Sequence, residues 1–163
     1  MKHFFHRHQQ SASWREVGLH GIGAMLAIAL LGALSFYTGN PLLIAPFGAS
    51  CVLLFSVPDS ALAQPANVVG GHIVATAIAL LMHAFLPNDW WAVALAVGIS
   101  ISAMSLLRIT HPPAGADPIV VFAADPAIAF LVFPITLGAV ALVLIACLFH
   151  AGTKKPYPLR RSE

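Results

Sequence analysis

No aspartate, glutamate, lysine or arginine occurs in residues 17–58, 60–88, 90–107 or 126–153. A helix needs about 20 apolar residues to cross the hydrocarbon core of a bilayer, so each stretch has room for at least one crossing. Of the 163 residues, 59% are hydrophobic and 9% charged, against roughly 25% charged in an ordinary soluble domain. A water-soluble core cannot use that much uninterrupted apolar sequence. The chain therefore reads as an all-α, polytopic membrane protein.

The charges that exist are sorted by position. Residues 1–16 and 154–163 carry seven basic and two acidic side chains, and the sequence between carries only Arg108 against Asp59, Asp89, Asp117 and Asp125. Basic flanks stay on the cytoplasmic face, which places both tails inside and makes the number of crossings even. The expected division is a basic tail (1–16), a transmembrane domain (17–150) and a second basic tail (151–163), in a bacterial cytoplasmic (inner) membrane. The net charge of +2 gives no reason to expect a nucleic-acid partner. A cleaved secretory signal is not expected, because the first apolar run is too long for an h-region and lacks a clear cleavage site. Cys51 and Cys147 lie in apolar segments without metal-ligand spacing and read as buried free thiols.

Four segments are long enough to span, at residues 18–38, 66–86, 90–109 and 127–150. Two apolar pieces, 42–57 and 112–124, are short and interrupted by proline and glycine, which suits broken or re-entrant helices. These pieces resemble each other. A shift of 67 lays the ten residues from Pro46 to Phe55 on those from Pro113 to Phe122, with proline, glycine, alanine and phenylalanine matched and three further aliphatic pairs. The expectation is an internal repeat with halves at 18–86 and 90–150. If the short pieces dip and return there are four crossings and parallel halves. If they cross there are six and the halves are inverted, which puts Arg108 on the cytoplasmic side.

The densest polar cluster runs from Arg108 through Thr110, His111, Pro112, Pro113 and Gly115 to Asp117. Two consecutive prolines end the preceding helix near His111, and a half-helix can restart at Pro113, where the missing N–H costs nothing. Helix starts carry unpaired N–H groups and partial positive charge. A second such start, at Pro46, Gly48 and Ser50, gives two that could meet in an anion-friendly constriction. Arg108 and His111 can add positive charge there, and Asp117 can cap, carry a proton, or form a structural pair with Arg108. His72, Thr76 and His83 fall on one helical face and can line a path or serve packing. Gly18, Gly21, Gly23, Gly70 and Gly71 suit close helix packing, and Trp90 and Trp91 suit an interfacial anchor. His3, His6 and His8 read as a solvated tail. No Ser/His/Asp order, paired catalytic carboxylates, phosphate-binding loop or zinc spacing is apparent, so no enzyme activity, metal or cofactor is expected.

Three ordered motifs carry a family resemblance: residues 110–116 with His111-Pro112-Pro113, residues 45–50 around Pro46 and Gly48, and residues 64–72 ending in Gly70-Gly71-His72. Together the sequence between the basic tails resembles the HPP family of small membrane proteins, named for that tripeptide. The resemblance implies a compact helical domain usually described with four spans. Some plastid and cyanobacterial relatives are associated with nitrite transport. The function expected is thus a transporter or channel-like facilitator of a small inorganic anion, nitrite first, with a membrane sensor or assembly subunit as the alternative. A chain this small is expected to form homo-oligomers in the bilayer, to shield a path from lipid.

Overall fold

A computed structural model describes residues 5–7 and 11–159; His3 and His8 fall outside them, so the expectation for the histidine-bearing tail is left with His6 alone. Among the described residues the structure is helical, without strands. Helix α1 (Trp14–Thr38) starts earlier than residue 18 because Ser13 and Glu16 form a capping box. The serine side chain accepts from the Glu16 N–H, and the glutamate accepts from the Ser13 N–H at 3.0 Å. Gly39, at φ 69°, ends the helix in the left-handed conformation that glycine adopts without a Cβ penalty.

Prolines near the starts position the next elements, α2 (Ala45–Ser56) and α3 (Pro65–His83). Helix α4 (Trp90–Leu106) is capped by Asp89, whose carboxylate accepts from the Trp90 N–H at 2.9 Å. A 3₁₀ turn (Pro112–Ala116) leads into the short α5 (Asp117–Ala124), and α6 (Leu137–Thr153) closes the chain.

Among the described residues three helical runs are long and apolar enough to cross a membrane: Trp14–Thr38, Pro65–His83 and Ile128–Thr153. The third expected long segment, 90–109, yields α4, an apolar helix of 17 residues. The last run is not the uninterrupted helix its composition suggests. Phe133 leaves helical geometry (φ −134°, ψ 113°), because the ring of Pro134 disfavours the α region for the residue before it.

Side-chain contacts fix which helix ends lie together. At one end Lys155 Nζ reaches Glu16 Oε1 at 3.5 Å, Tyr157 donates to the Ala63 carbonyl at 2.9 Å, and His150 Nε2 donates to the Leu54 carbonyl at 2.8 Å. The starts of α1 and α3 and the ends of α2 and α6 therefore share this tail end. At the opposite end Asn88 donates to the Phe122 carbonyl at 2.8 Å, and His83 Nδ1 lies 3.6 Å from Asp125 Oδ1. Helices α1 and α3 run away from the tail end; α4 and α6 return to it.

The main core joins α1, α2, α3 and α6 through Leu31, Phe47, Leu54, Phe55, Val68 and Leu142. Ile22, Met25, Leu26 and Leu30 of α1 point outward and are exposed, as a helix that is apolar all round does when lipid is its solvent. Glycine use is uneven. A Cβ on Gly23 would strike the Phe55 ring and one on Gly138 the Phe47 ring, whereas Gly18 and Gly21 have nothing within 4 Å in this chain.

Burial pushes the Tyr157 phenol up, so it stays a donor to Ala63 throughout the range where the chain is handled. Tyr157→Phe leaves that carbonyl without its partner and is expected to cost about 1–3 kcal/mol, read as a lower midpoint of thermal unfolding in detergent.

Candidate functional site: a buried hydrogen-bonded chain

Polar side chains are costly in a bilayer interior unless they are partnered. Yet Ser50, His72, Thr76, His111 and Asp117 are all fully buried. They come from α2, α3 and the 3₁₀–α5 segment, and they form one connected series. Asp117 Oδ2 is 2.7 Å from His72 Nδ1 and accepts from Thr76 Oγ1 at 3.2 Å. His72 Nε2 is 3.0 Å from Ser50 Oγ, which is 2.8 Å from His111 Nε2. His111 Nδ1 is 2.8 Å from the Leu62 carbonyl.

The partners dictate where the hydrogens sit. A carbonyl only accepts, so His111 Nδ1 carries hydrogen and the neutral ring presents its Nε2 lone pair to the Ser50 hydroxyl. Having donated there, Ser50 accepts from His72 Nε2–H. A single proton then lies between His72 Nδ1 and Asp117 Oδ2, and every link has one donor and one acceptor. Ser50 Oγ also lies 3.2 Å from the Pro46 carbonyl. Rotating the hydroxyl from His111 to Pro46 opens the series at its centre. One atom stays unpartnered in this buried site, Asp117 Oδ1.

Ser50, His72 and Asp117 have the mutual distances of a nucleophile, base and orienting carboxylate, an arrangement the sequence did not make apparent. With His111 neutral, His72 Nε2 donates to the serine; a nucleophile needs the opposite direction, with Nε2 accepting the serine proton.

Packing holds the series in place. Phe47 meets the His72 ring edge-on at 5.2 Å, and the two imidazoles lie 5.1 Å apart. Asn67 Nδ2 donates to the Thr110 carbonyl at 2.9 Å, tying the segment before His111 to α3. Asn67 lies inside the 64–72 motif, but only the fold supplies its partner.

One of the two expected half-helix starts is observed, with α2 beginning at Ala45; the other is not, because Pro113 lies in the 3₁₀ turn and α5 begins only at Asp117. Ala45, Pro46 and Ala49 line one wall of a groove of about 550 Å³, and Pro112, Pro113 and Ala116 line the other. Gly48 and Gly115 have nothing within 4 Å of a notional Cβ. Ser50, His111 and Asp117 each adjoin a lining residue in the sequence, Ala49, Pro112 and Ala116 respectively. Thr110 is half-buried and its hydroxyl reaches Ser105 at 3.5 Å.

Arg108 is not gathered into the site. It is exposed, at φ 58°, and the expected alternative of an Arg108–Asp117 pair is replaced by the His72–Asp117 pair. The prolines turn the chain between the two residues, so nearness in sequence does not become contact. His83 shares a face with His72 and Thr76 as expected, but sits with Asp125 at the far end.

Three comparisons bear on this geometry. The family described as HPP, transmembrane region, matches residues 9–158. Two transmembrane proteins of Dictyostelium discoideum are similar. One is 29% identical over 161 residues, covering 91% of this chain and 52% of the relative. The other is 35% identical over 126 residues, covering 72% of this chain and 44% of the relative. The chain thus spans about half the length of these curated relatives. No solved structure matches.

Proposed function

This chain belongs to the HPP transmembrane family, and on that premise we propose that it is a proton-coupled transporter of a small inorganic anion, with nitrite the first candidate. The observation that carries this reading is the uninterrupted series Asp117–His72–Ser50–His111. Its members alternate donor and acceptor, so protons can pass along it by local shifts. Nitrite is the anion of a weak acid, and its movement together with a proton carries no net charge. A relay whose Ser50, His111 and Asp117 each adjoin in sequence a residue lining the groove between α2 and the 3₁₀ turn supplies that proton beside the place where the anion would sit.

Further support comes from the internal repeat. The shift of 67 that pairs Ser50 with Asp117 also pairs Gly71 with Gly138, Phe55 with Phe122 and His83 with His150. Contacts follow the same exchange: His83 meets Phe122 at 4.8 Å, and His150 meets Phe55 at 6.0 Å. In this reading α1, α3, α4 and α6 cross the membrane, the pieces ending in α2 and α5 complete two further crossings, and the halves are inverted about the site. Both tails and Arg108 lie on the cytoplasmic side, and copies associate to shield the groove from lipid.

The test is uptake into proteoliposomes. Nitrite entry is expected to rise as the outside is acidified and to be accompanied by proton entry, while chloride, the anion of a strong acid, is not carried. Ser50→Ala breaks the series at its centre and is expected to cut uptake about tenfold or more, whereas Ser50→Thr, which keeps a hydroxyl, retains part of it. Nitrite uptake indifferent to pH and to Ser50→Ala contradicts the relay. Absence of uptake at every pH contradicts transport.

A further inference from the structure

The buried series ends at Asp117 and Thr76, midway along α3, yet a second titratable pair stands farther up the same two helices. His83 follows Thr76 by seven residues and Asp125 follows Asp117 by eight, two turns in each case, which is about 10–12 Å. His83 Nδ1 and Asp125 Oδ1 are 3.6 Å apart, and Asp125 is largely exposed. His83 also lines a cavity of about 450 Å³ beside Pro126 and Ile128. Along α3 and α5, the fully buried side chains at the sequence positions between the two groups include Ala79, Val121 and Phe122, all apolar. The Phe122 ring stands edge-on to His83. Asp117, at the start of α5, has its Oδ1 buried and unpartnered.

We infer that His83 and Asp125 are the far mouth of a transmembrane proton path whose inner segment is the Asp117–His72–Ser50–His111 series, shut in this conformation by Ala79, Val121 and Phe122. Its purpose rests on the proton-coupled reading above; its test does not. A proton crossing the apolar layer binds Asp117 at Oδ1. The proton shared at Oδ2 moves to His72 Nδ1, the His72 Nε2 proton to Ser50 Oγ, and the Ser50 proton to His111 Nε2. The Nδ1 proton of His111 then passes to water at the Leu62 end, so one proton enters and one departs.

Few other titratable groups face this path. Helix α4 has none along its length apart from its cap Asp89, and the segment Ile128–Thr136 has none. Helix α6 contributes Cys147 and His150 near the tail end, where His150 is bonded to Leu54.

Ala79 sits on the face shared by Thr76 and His83, three residues after one and four before the other. Ala79→Ser therefore places a hydroxyl inside the gap at the cost of one added oxygen, and Phe122→Ala opens the same layer by removing bulk. The chain is reconstituted into liposomes containing a pH-sensitive dye and no nitrite, and a potassium diffusion potential draws protons inward.

Ala79→Ser is expected to raise proton entry about tenfold or more over the unaltered chain, with Phe122→Ala doing the same. Adding His83→Gln and Asp125→Asn is expected to return either to the starting rate. The inference is overturned if neither opening variant conducts, or if conduction survives loss of His83 and Asp125. Ala79→Ser keeps the test decisive should Phe122→Ala fail to fold. Nitrite uptake without induced conduction removes the path alone, and induced conduction in a chain that carries no nitrite removes only the transport reading.

Discussion

Replacing His72 with alanine is expected to lower the free energy of unfolding by about 3–5 kcal/mol, because it strands a carboxyl buried for its partner's sake. Asp117 keeps only the Thr76 hydroxyl, and Ser50 loses the N–H that it accepts. Thermal unfolding in detergent reads the loss, and nitrite uptake by the same variant is expected to vanish.

The double variant His72→Leu with Asp117→Leu separates stability from function. Buried ion pairs replaced together by apolar groups of similar volume are often neutral or stabilising. Thr76 can turn its hydroxyl to a carbonyl one turn back along α3, while Ser50 and His111 keep each other. Most of the stability is therefore expected to return, with uptake still absent. Recovery of uptake along with stability would reduce the series to a packing device.

The apolar helical segments were legible because their signals are local. Charge-free length marked the long runs, and proline with glycine marked the two short pieces. Local signals were also overlooked: Ser13 and Glu16 three residues apart place the start of α1 at Trp14, and Pro134 announces the break at Phe133. Ser50 and Asp117, which the expected 67-residue shift lays on one another, both bond to His72, a relation the sequence reading did not draw.

What the sequence withheld is the bonding itself. Asp117 lies nine residues from Arg108 and 45 from His72, and it bonds the distant one. No periodicity within a segment encodes such a choice. It follows from how α3 packs against α5 and the turn before it. The mutual reach of Ser50, His72 and Asp117 is likewise a product of three elements meeting, and residue order alone does not give the direction of the hydrogens. His83 was placed on the correct face, but its partner Asp125 became visible only when both helices were seen to end together.

The close approach of α3 to the segment before α5 explains why Gly71 tolerates no side chain. A Cβ there would lie 2.7 Å from His111 Cβ, 3.2 Å from the Ile109 carbonyl oxygen and 3.4 Å from Met104 Sδ. The first two obstacles are anchored to the backbone, so a rotamer change cannot relieve them. Gly71→Ala must push residues 109–111 away from α3, and overpacking of this kind costs about 1–3 kcal/mol. The functional loss is expected to be larger than the stability loss. His111 sits 2.8 Å from both Ser50 Oγ and the Leu62 carbonyl, and a shift of a few tenths of an ångström or more weakens both bonds at once.

Gly70→Ala meets only the flexible end of Ile109, at 3.1 Å, and is expected to retain uptake. Gly48→Ala has open space around it and removes the helix penalty of glycine, worth about 1 kcal/mol. If the anion approaches the exposed backbone at the start of α2, that variant is more stable and transports less, the opposite pairing to Gly71→Ala. Unfolding midpoints and uptake rates measured on the three variants together would show whether close packing at Gly71 and open backbone at Gly48 serve the separate purposes assigned to them.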